Sequence, residues 1–199
     1  PPGNFGLWTE VDGLLRTVEY AGVYRFHLVG FSGGGAVSLA FAAKYPQRLL
    51  SLALLEPAWI GNEGWTDEDK ADFAELDRIM TLPGTERMPA FRRWHLSPGV
   101  ELPAEPAPAG PPPAWMAKRP AGLEAFDRAY KTYSLDRERF RTFHQPVYYA
   151  YGSLSRPFFE RNAATLGRFF PNFRVEVFKG LWHFNAPHRA EPERLARSL

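Results

Sequence analysis

The sequence predicts an α/β fold in which a parallel β-sheet carries helices on both faces. Short apolar runs typical of strands alternate with segments in which apolar residues recur at helical spacing. The run at residues 49–55 is almost continuously apolar, as expected for a parallel strand buried on both sides. With 199 residues, 45% of them hydrophobic, the chain is large enough for one domain with an inserted subdomain.

The predicted elements follow in a regular order at both ends of the chain. The first part contains an amphipathic helix (7–20), a strand (24–29), a helix ending near Tyr45 before Pro46, and the strand 49–55. The last part contains a strand (147–151), a helix (156–169), a strand (173–178) and a final helix starting near Glu191. Such alternation indicates parallel strands joined by helical crossovers.

Residues 61–145 break this alternation and are predicted to form a helical insertion. Thr66 precedes three acidic residues and is expected to cap a helix that runs to Met80. The segment 97–120 contains eight prolines and is expected to be an extended surface loop. Further helices are predicted at 87–95, at 121–133 and at 135–143, the last one capped by Ser134.

Charge and composition exclude several classes of function. The net charge is only +2, and basic and acidic residues are interspersed, so no stripe for nucleic acid is expected. The chain has no cysteine, which excludes disulfides, thiol catalysis and cysteine-bound metals. No apolar stretch is long enough to span a membrane. We expect a cytoplasmic protein.

The stretch Gly30-Phe31-Ser32-Gly33-Gly34 carries the first chemical signal. It lies between the strand 24–29 and a helical pattern, and G-x-S-x-G in that context is a nucleophile elbow. The turn is expected to hold Ser32 in strained backbone angles, with Gly30 and Gly34 close together across it. A glycine-rich turn that only packs, or that binds phosphate at a helix start, gives the same pattern.

Together with two later features, this motif resembles the α/β-hydrolase family. These features are the helical insertion, similar to the cap of that family, and Gly180-Leu181-Trp182-His183 after the last strand. The resemblance implies a hydrolase core at 1–60 and 146–199 with a cap at 61–145. It covers the carboxyl-terminal two-thirds of the family's fold. We therefore expect the elbow strand to be an open sheet edge that a missing or companion segment completes.

The resemblance implies that Ser32 is the nucleophile and His183 its general base, since an unassisted hydroxyl reacts poorly at neutral pH. His183 sits where the family places its base, in a glycine-containing loop directly after a strand. The other histidines are not predicted to be catalytic. His27 is interpreted as a buried strand residue, His95 and His144 as parts of the insertion and its end, and His188 as a surface or capping residue.

The acidic partner of His183 departs from the family's usual pattern. The loop 152–157, where most members carry an aspartate, has no carboxylate, and Ser155 is interpreted there as a helix cap. A second arrangement in the family places the acid after the preceding strand, which here is Glu56. Glu56 is the predicted acid, Glu160 is the fallback, and an ordinary strand-end carboxylate is the alternative for Glu56.

The rest of the predicted site follows from the same resemblance. The N–H of Gly33 is expected to be one oxyanion donor, and the loop that supplies the second donor in the family is not in this sequence. An apolar pocket for a hydrophobic acyl substrate is predicted from Phe31, Trp59, Trp94 and Trp182.

The predicted function is that of a serine hydrolase acting on a carboxylic ester or related acyl substrate, with no cofactor and no metal. Cleavage of C–C or peptide bonds and peracid chemistry use the same machinery and stay open. The alternative is a non-catalytic ligand-binding or scaffold protein of the same fold. The expected partner is a small hydrophobic acyl substrate.

Overall fold

The computed structural model describes residues 3–103, 110–111 and 113–199. It contains a four-stranded parallel sheet in which spatial order equals chain order. The strands are β1 (Phe26–Phe31), β2 (Leu49–Leu55), β3 (Val147–Gly152) and β4 (Phe173–Phe178). Two of them have the predicted bounds, whereas β1 begins two residues later than expected and continues to Phe31.

Helices cover both faces of the sheet. The described helices are α1 (Leu7–Tyr20), α2 (Gly33–Lys44), α3 (Asp67–Met80), α4 (Gly84–Trp94), α5 (Arg119–Thr132), α6 (Phe158–Leu166), α7 (Pro187–Ala190) and α8 (Pro192–Ser198). On one face α1, α2 and α6 bury Val11, Leu39 and Leu166 against the sheet. On the other face Leu195 of α8 packs with Leu55 and Phe178. The predicted two-sided α/β fold is confirmed.

Strand β1 lies at one edge of the sheet. It pairs with β2 in register Gly30↔Leu54 and Phe31↔Leu55, so both strands end side by side. Within the described residues β1 has no second neighbouring strand, and the side chain of Val29 is half exposed. The carboxyl ends of β1 and β2 therefore meet at one point of the sheet, where ligands of such folds bind.

Three helices of the predicted insertion, α3, α4 and α5, stand beyond this end of the sheet. Thr66 caps α3 as predicted, because its hydroxyl accepts the N–H of Asp69. The expectation of an extended loop at 97–120 is wrong at its end, where a 3₁₀ helix, Ala114–Lys118, leads into α5. Pro120 fits the first turn of α5, where its missing N–H costs nothing. Residues 104–109 and 112 of that segment lie outside the described residues.

The predicted helix 135–143 is a 3₁₀ helix instead, Arg137–Thr142. Its cap is Asp136, whose carboxylate accepts the N–H of Glu138, rather than Ser134. Phe140 and Phe143 are fully buried in the main core with residues of α2 and the sheet. The two rings are three residues apart, and a 3₁₀ helix, with three residues per turn, places such residues on the same side.

Two arginines tie the insertion to the sheet domain. Arg156, between β3 and α6, donates to Asp72 (2.7 Å) and Glu75 (2.5 Å) of α3. Arg161 of α6 donates to Asp69 at 2.8 Å and also to Asp72. Asp72 is almost fully buried, and these two arginines offset its negative charge. None of the helices in the described part of the chain has the length and apolar character that crossing a bilayer requires.

Candidate active site

The turn between β1 and α2 holds Ser32 at the edge of the sheet. Ser32 has φ of 53°, a strained value for a residue with a side chain. A methyl group on Gly30 would lie 2.3 Å from Ser38 Oγ and 2.6 Å from the Gly34 carbonyl oxygen, so the predicted close approach is present. A methyl group on Gly34 itself meets nothing, whereas one on Gly35 would lie 2.9 Å from Pro57. The second tight position of the elbow is therefore Gly35.

Glu56 follows β2 directly and is completely buried. Its φ of 44° is also strained, and its N–H donates to the Ala150 carbonyl. The carboxylate oxygen Oε1 accepts hydrogen bonds from the Gly152 N–H (2.8 Å) and the Ser155 hydroxyl (2.5 Å). These donors stabilise a charged carboxylate in an otherwise apolar place.

His183 lies in the loop after β4 and contacts both Glu56 and Ser32. Its Nδ1 is 2.7 Å from Glu56 Oε2, and its Nε2 is 3.0 Å from Ser32 Oγ. The ring is buried between the aromatic side chains of Phe159 (centroids 5.2 Å apart) and Phe31 (4.8 Å). With Nδ1–H donated to the carboxylate, Nε2 is free to accept the proton of the Ser32 hydroxyl.

Burial governs the protonation of this pair. It raises the pKa of Glu56 to about 7, against the opposing effect of the Gly152 and Ser155 hydrogen bonds. It lowers the pKa of His183, and nearby His188 lowers it further. A neutral imidazole is the form that can remove a proton from a hydroxyl.

The structure brings Ser32, His183 and Glu56 into one chain of contacts, and it moves the other acid candidates aside. Glu160 is exposed on α6. Ser155 does not cap α6, since the cap residue is Pro157. The helix-cap interpretation of Ser155 is wrong because the buried carboxylate of Glu56 offers its hydroxyl a stronger acceptor.

A cavity of about 340 Å³ opens above Ser32 and Gly33, between the sheet and the insertion. Its walls are mainly aromatic and aliphatic, and include Trp59, Trp65, Phe73, Leu76, Trp94 and Phe126. The predicted pocket residues Trp59 and Trp94 thus line it, and Gly33 at the start of α2 lies at its floor. The first N–H groups of a helix have no partner within it, so the Gly33 N–H is available to a ligand.

Phe31 and Trp182, also predicted for the pocket, are not among the lining residues. The Phe31 side chain belongs to the cluster on the opposite sheet face, where it packs between His183 and His188. Trp182 is buried against Phe184 and Arg92. Phe31 departs because its side chain faces the other side of the sheet, and Trp182 departs because its loop turns the indole away from the cavity.

Sequence reasoning missed several polar residues at the cavity. His95, at the end of α4, is buried and stacks on His183 with centroids 4.1 Å apart, while its Nδ1–H donates to the Phe91 carbonyl at 2.7 Å. Lys131 of α5 also lines the cavity and is paired with Asp77 (2.8 Å) and Asp127 (2.9 Å). These residues come from the insertion, whose fold on the sheet no local pattern indicates. Over the described ranges, no cluster of three or more histidine or acidic side chains is suited to hold a metal ion.

The chain belongs to the α/β hydrolase fold family, whose model matches residues 2–186. The sequence is 50% identical over 78 residues to 2-hydroxy-6-oxo-6-phenylhexa-2,4-dienoate hydrolase of Comamonas testosteroni, an alignment that covers 39% of this chain and 26% of that protein.

Solved structures of the same fold cover the whole chain. A carboxylesterase of Bacillus subtilis superposes with a TM-score of 0.62 at 13% identity, over 100% of this chain and 66% of that one. Naproxen esterase of Bacillus subtilis superposes with a TM-score of 0.62 at 19% identity, over 100% of this chain and 68% of that one. The chain thus spans about two-thirds of the length of these structures and aligns with about a quarter of its curated relative.

Proposed function

We propose that the protein is a serine hydrolase that cleaves a carboxylic ester or related acyl substrate through an acyl-enzyme. The observation that carries the proposal is the unbroken chain of contacts from Ser32 Oγ to His183 Nε2 (3.0 Å) and from His183 Nδ1 to Glu56 Oε2 (2.7 Å). Such a chain activates the hydroxyl, orients the imidazole and offsets its positive charge when it takes a proton.

In the proposed reaction, Ser32 Oγ bonds to the carbonyl carbon while its proton moves to His183 Nε2. The carbonyl electron pair moves onto oxygen, and the Gly33 N–H donates to that oxyanion. Collapse of this intermediate expels the leaving alcohol, which takes the proton from His183. Water then repeats the sequence and releases the carboxylic acid, so Ser32 and His183 regain their starting states.

The walls of the cavity favour an uncharged, apolar or aromatic acyl group. Of the described residues lining it, Lys131 alone carries a positive charge, and Asp77 and Asp127 neutralise it. An aromatic or branched acyl chain gains by leaving water for this surface. Among the described lining residues, no unpaired cation is available to a negatively charged acyl group.

A fluorophosphonate probe tests the proposal on the full-length protein. It should label Ser32, as located by peptide mass spectrometry, and abolish hydrolysis of p-nitrophenyl esters. The variant Ser32→Ala should neither be labelled nor turn over these esters. The control Ser38→Ala changes a serine inside α2 and should still be labelled at Ser32. If the folded protein is not labelled, the proposed serine hydrolase function is contradicted and the ligand-binding or scaffold alternative is favoured.

A second candidate is hydrolysis of a C–C bond, which the sequence similarity to the dienoate hydrolase of Comamonas testosteroni favours. The same serine and histidine would serve that reaction. Parallel assays with 2-hydroxy-6-oxo-6-phenylhexa-2,4-dienoate and with neutral aryl esters separate the two candidates. The neutralised Lys131 leads us to expect the higher kcat/KM for the esters.

We further propose that the free edge of β1 is covered in the functional protein by a sheet-completing segment, from the same protein or a companion chain. The half-exposed Val29 and the greater length of the matched esterase structures support this. A cytoplasmic location remains a proposal drawn from the sequence.

A further inference from the structure

One residue of the insertion reaches the elbow itself. A methyl group built on Gly33 would lie 3.2 Å from the hydroxyl oxygen of Tyr130, a residue of α5. Tyr130 lines the same cavity as Ser32 and Gly33. Its hydroxyl therefore lies beside the N–H that faces the developing oxyanion in the proposed reaction.

The position of Tyr130 is fixed by stacking and by hydrogen bonds. Its ring stacks on that of Trp59, with centroids 5.6 Å apart and planes 8° from parallel. The Trp59 indole N–H donates to Asn62 Oδ1 at 2.6 Å, and Asn62 Nδ2 donates in turn to the Tyr130 carbonyl at 2.7 Å. The segment after β2 thus holds both the ring and the backbone of this residue, as a preorganised donor requires.

The hydroxyl is a donor without an acceptor. Among the residues that the structure describes, none accepts a hydrogen bond from the Tyr130 hydroxyl, and the residue is partly buried at the cavity wall. Burial raises the pKa of Tyr130 well above its usual value, and the negative charges of Asp127 and Glu10 act in the same direction. The hydroxyl accordingly keeps its proton at neutral pH. A hydroxyl that lines the cavity without a protein acceptor can donate to an oxygen atom that a ligand brings.

We propose that the Tyr130 hydroxyl donates a hydrogen bond to the carbonyl oxygen of the acyl substrate, as a second oxyanion donor beside the Gly33 N–H. This inference rests on the proposed serine hydrolase function. As the Ser32 Oγ–carbon bond forms, the carbonyl electron pair moves onto oxygen and the Ser32 proton goes to His183. Tyr130 keeps its own proton throughout and only strengthens its hydrogen bond. The insertion then takes part in the reaction as well as closing the cavity.

The variant Tyr130→Phe, made in the full-length protein, tests this role because it keeps the ring and removes the donor. We expect kcat for p-nitrophenyl esters to fall about a hundredfold, the loss typical of one missing oxyanion donor, with KM little changed. The affinity for a trifluoromethyl ketone, which forms a charged tetrahedral adduct with the serine, should fall by a similar factor. The matched control is Tyr133→Phe, whose ring also contacts Trp59 but lies outside the cavity lining, and which should retain wild-type kcat.

The outcomes separate this inference from the proposed function. If the wild type is labelled by a fluorophosphonate and Tyr130→Phe keeps wild-type kcat and inhibitor affinity, the donor role is overturned and the serine hydrolase function stands. If the wild type is neither labelled nor active, both fail. Should Tyr130→Phe not fold, a ring-fluorinated tyrosine at position 130 keeps the shape and acidifies the hydroxyl. A more acidic hydroxyl is a stronger donor, so the affinity for the trifluoromethyl ketone at neutral pH should change on fluorination, and an unchanged affinity would also overturn the inference.

Discussion

His183 Nδ1 lies 2.7 Å from Glu56 Oε2, and 127 residues of chain separate the two. The contact joins the end of β2 to the loop after β4. It passes over the end of β3, where Gly152 donates its N–H to the same carboxylate. A methyl group on Gly152 would lie 2.1 Å from the Leu181 carbonyl oxygen, so only glycine allows the histidine loop to approach this closely. This contact is the basis for proposing Glu56 as the carboxylate that orients the imidazole.

Replacing Glu56 by glutamine should cut kcat/KM for ester substrates by about 10⁴-fold, because the amide holds the imidazole in the wrong tautomer and leaves its positive charge unbalanced. Steady-state kinetics with p-nitrophenyl esters measure this loss. Glu160→Gln is the matched control, since this carboxylate is exposed on α6, and its kcat/KM should equal that of the wild type. Equal losses in both variants would reject Glu56 as the acid.

The activity should fall as the pH drops through about 7. The pKa of Glu56 is raised to about 7, so below that pH the carboxyl is protonated and no longer offsets the charge of the imidazolium. Removing the Ser155 hydroxyl, which favours the charged carboxylate, should raise this pKa further. The acidic limb of the kcat/KM profile should therefore move to higher pH in Ser155→Ala. It should stay in place in Ser153→Ala, because the Ser153 hydroxyl accepts the Gly180 N–H and does not contact Glu56. If the acidic limb moves in neither variant, Ser155 does not influence the pKa of Glu56.

Alanine at two adjacent glycines should change stability in opposite directions. Gly35→Ala would place a methyl group 2.9 Å from the backbone of Pro57, which cannot move aside, and should lower the free energy of unfolding by about 1 to 3 kcal/mol. Gly34→Ala meets open space inside α2 and should raise it by about 0.5 to 1 kcal/mol. Urea denaturation of both variants gives the two signs. If Gly34→Ala destabilises the protein and Gly35→Ala does not, the turn after β1 packs differently from the structure described above.

Arg156→Met should loosen the insertion from the sheet domain. The substitution removes hydrogen bonds to Asp72, Glu75 and the Trp94 carbonyl. Among the described residues, Asp72 then keeps only Arg161 as a charged partner. The free energy of unfolding should therefore fall by about 2 kcal/mol. The control Arg141→Met breaks an exposed pair with Glu138 and should leave the melting temperature nearly unchanged. If both variants have the same melting temperature, Arg156 does not stabilise the contact between the insertion and the sheet domain.

Local signals predicted the sheet and the elbow well. The strands 49–55 and 173–178 were predicted from the local sequence alone, and the acids after Thr66 predicted the start of α3. Glu56 and His183 were predicted from the resemblance to the α/β-hydrolase family, which places its acid and its base after strands of one parallel sheet; the two side chains do lie in contact.

The remaining departures arise where a side chain's environment is set by residues far along the chain. Ser155 gives a cap pattern on its own, and only the fold places Glu56, 99 residues away, beside its hydroxyl. His95 and Tyr130 reach the cavity because the insertion folds back over the elbow, and their own segments contain no trace of that. The short helix around Phe140 was misjudged because burial of its rings in the main core selected a tighter turn.

The side-by-side ends of β1 and β2 have a consequence for the way the site assembles. Ser32, Gly33 and Glu56 all belong to one strand–helix–strand unit of the chain, and Ser32 and Glu56 are only 24 residues apart. His183, 151 residues from Ser32, belongs to a different and distant part. Contacts of such unequal sequence separation form at unequal rates, since closing a short loop costs less entropy. We therefore expect Ser32 and Glu56 to come together early in folding, and His183 to join them only when the sheet is complete.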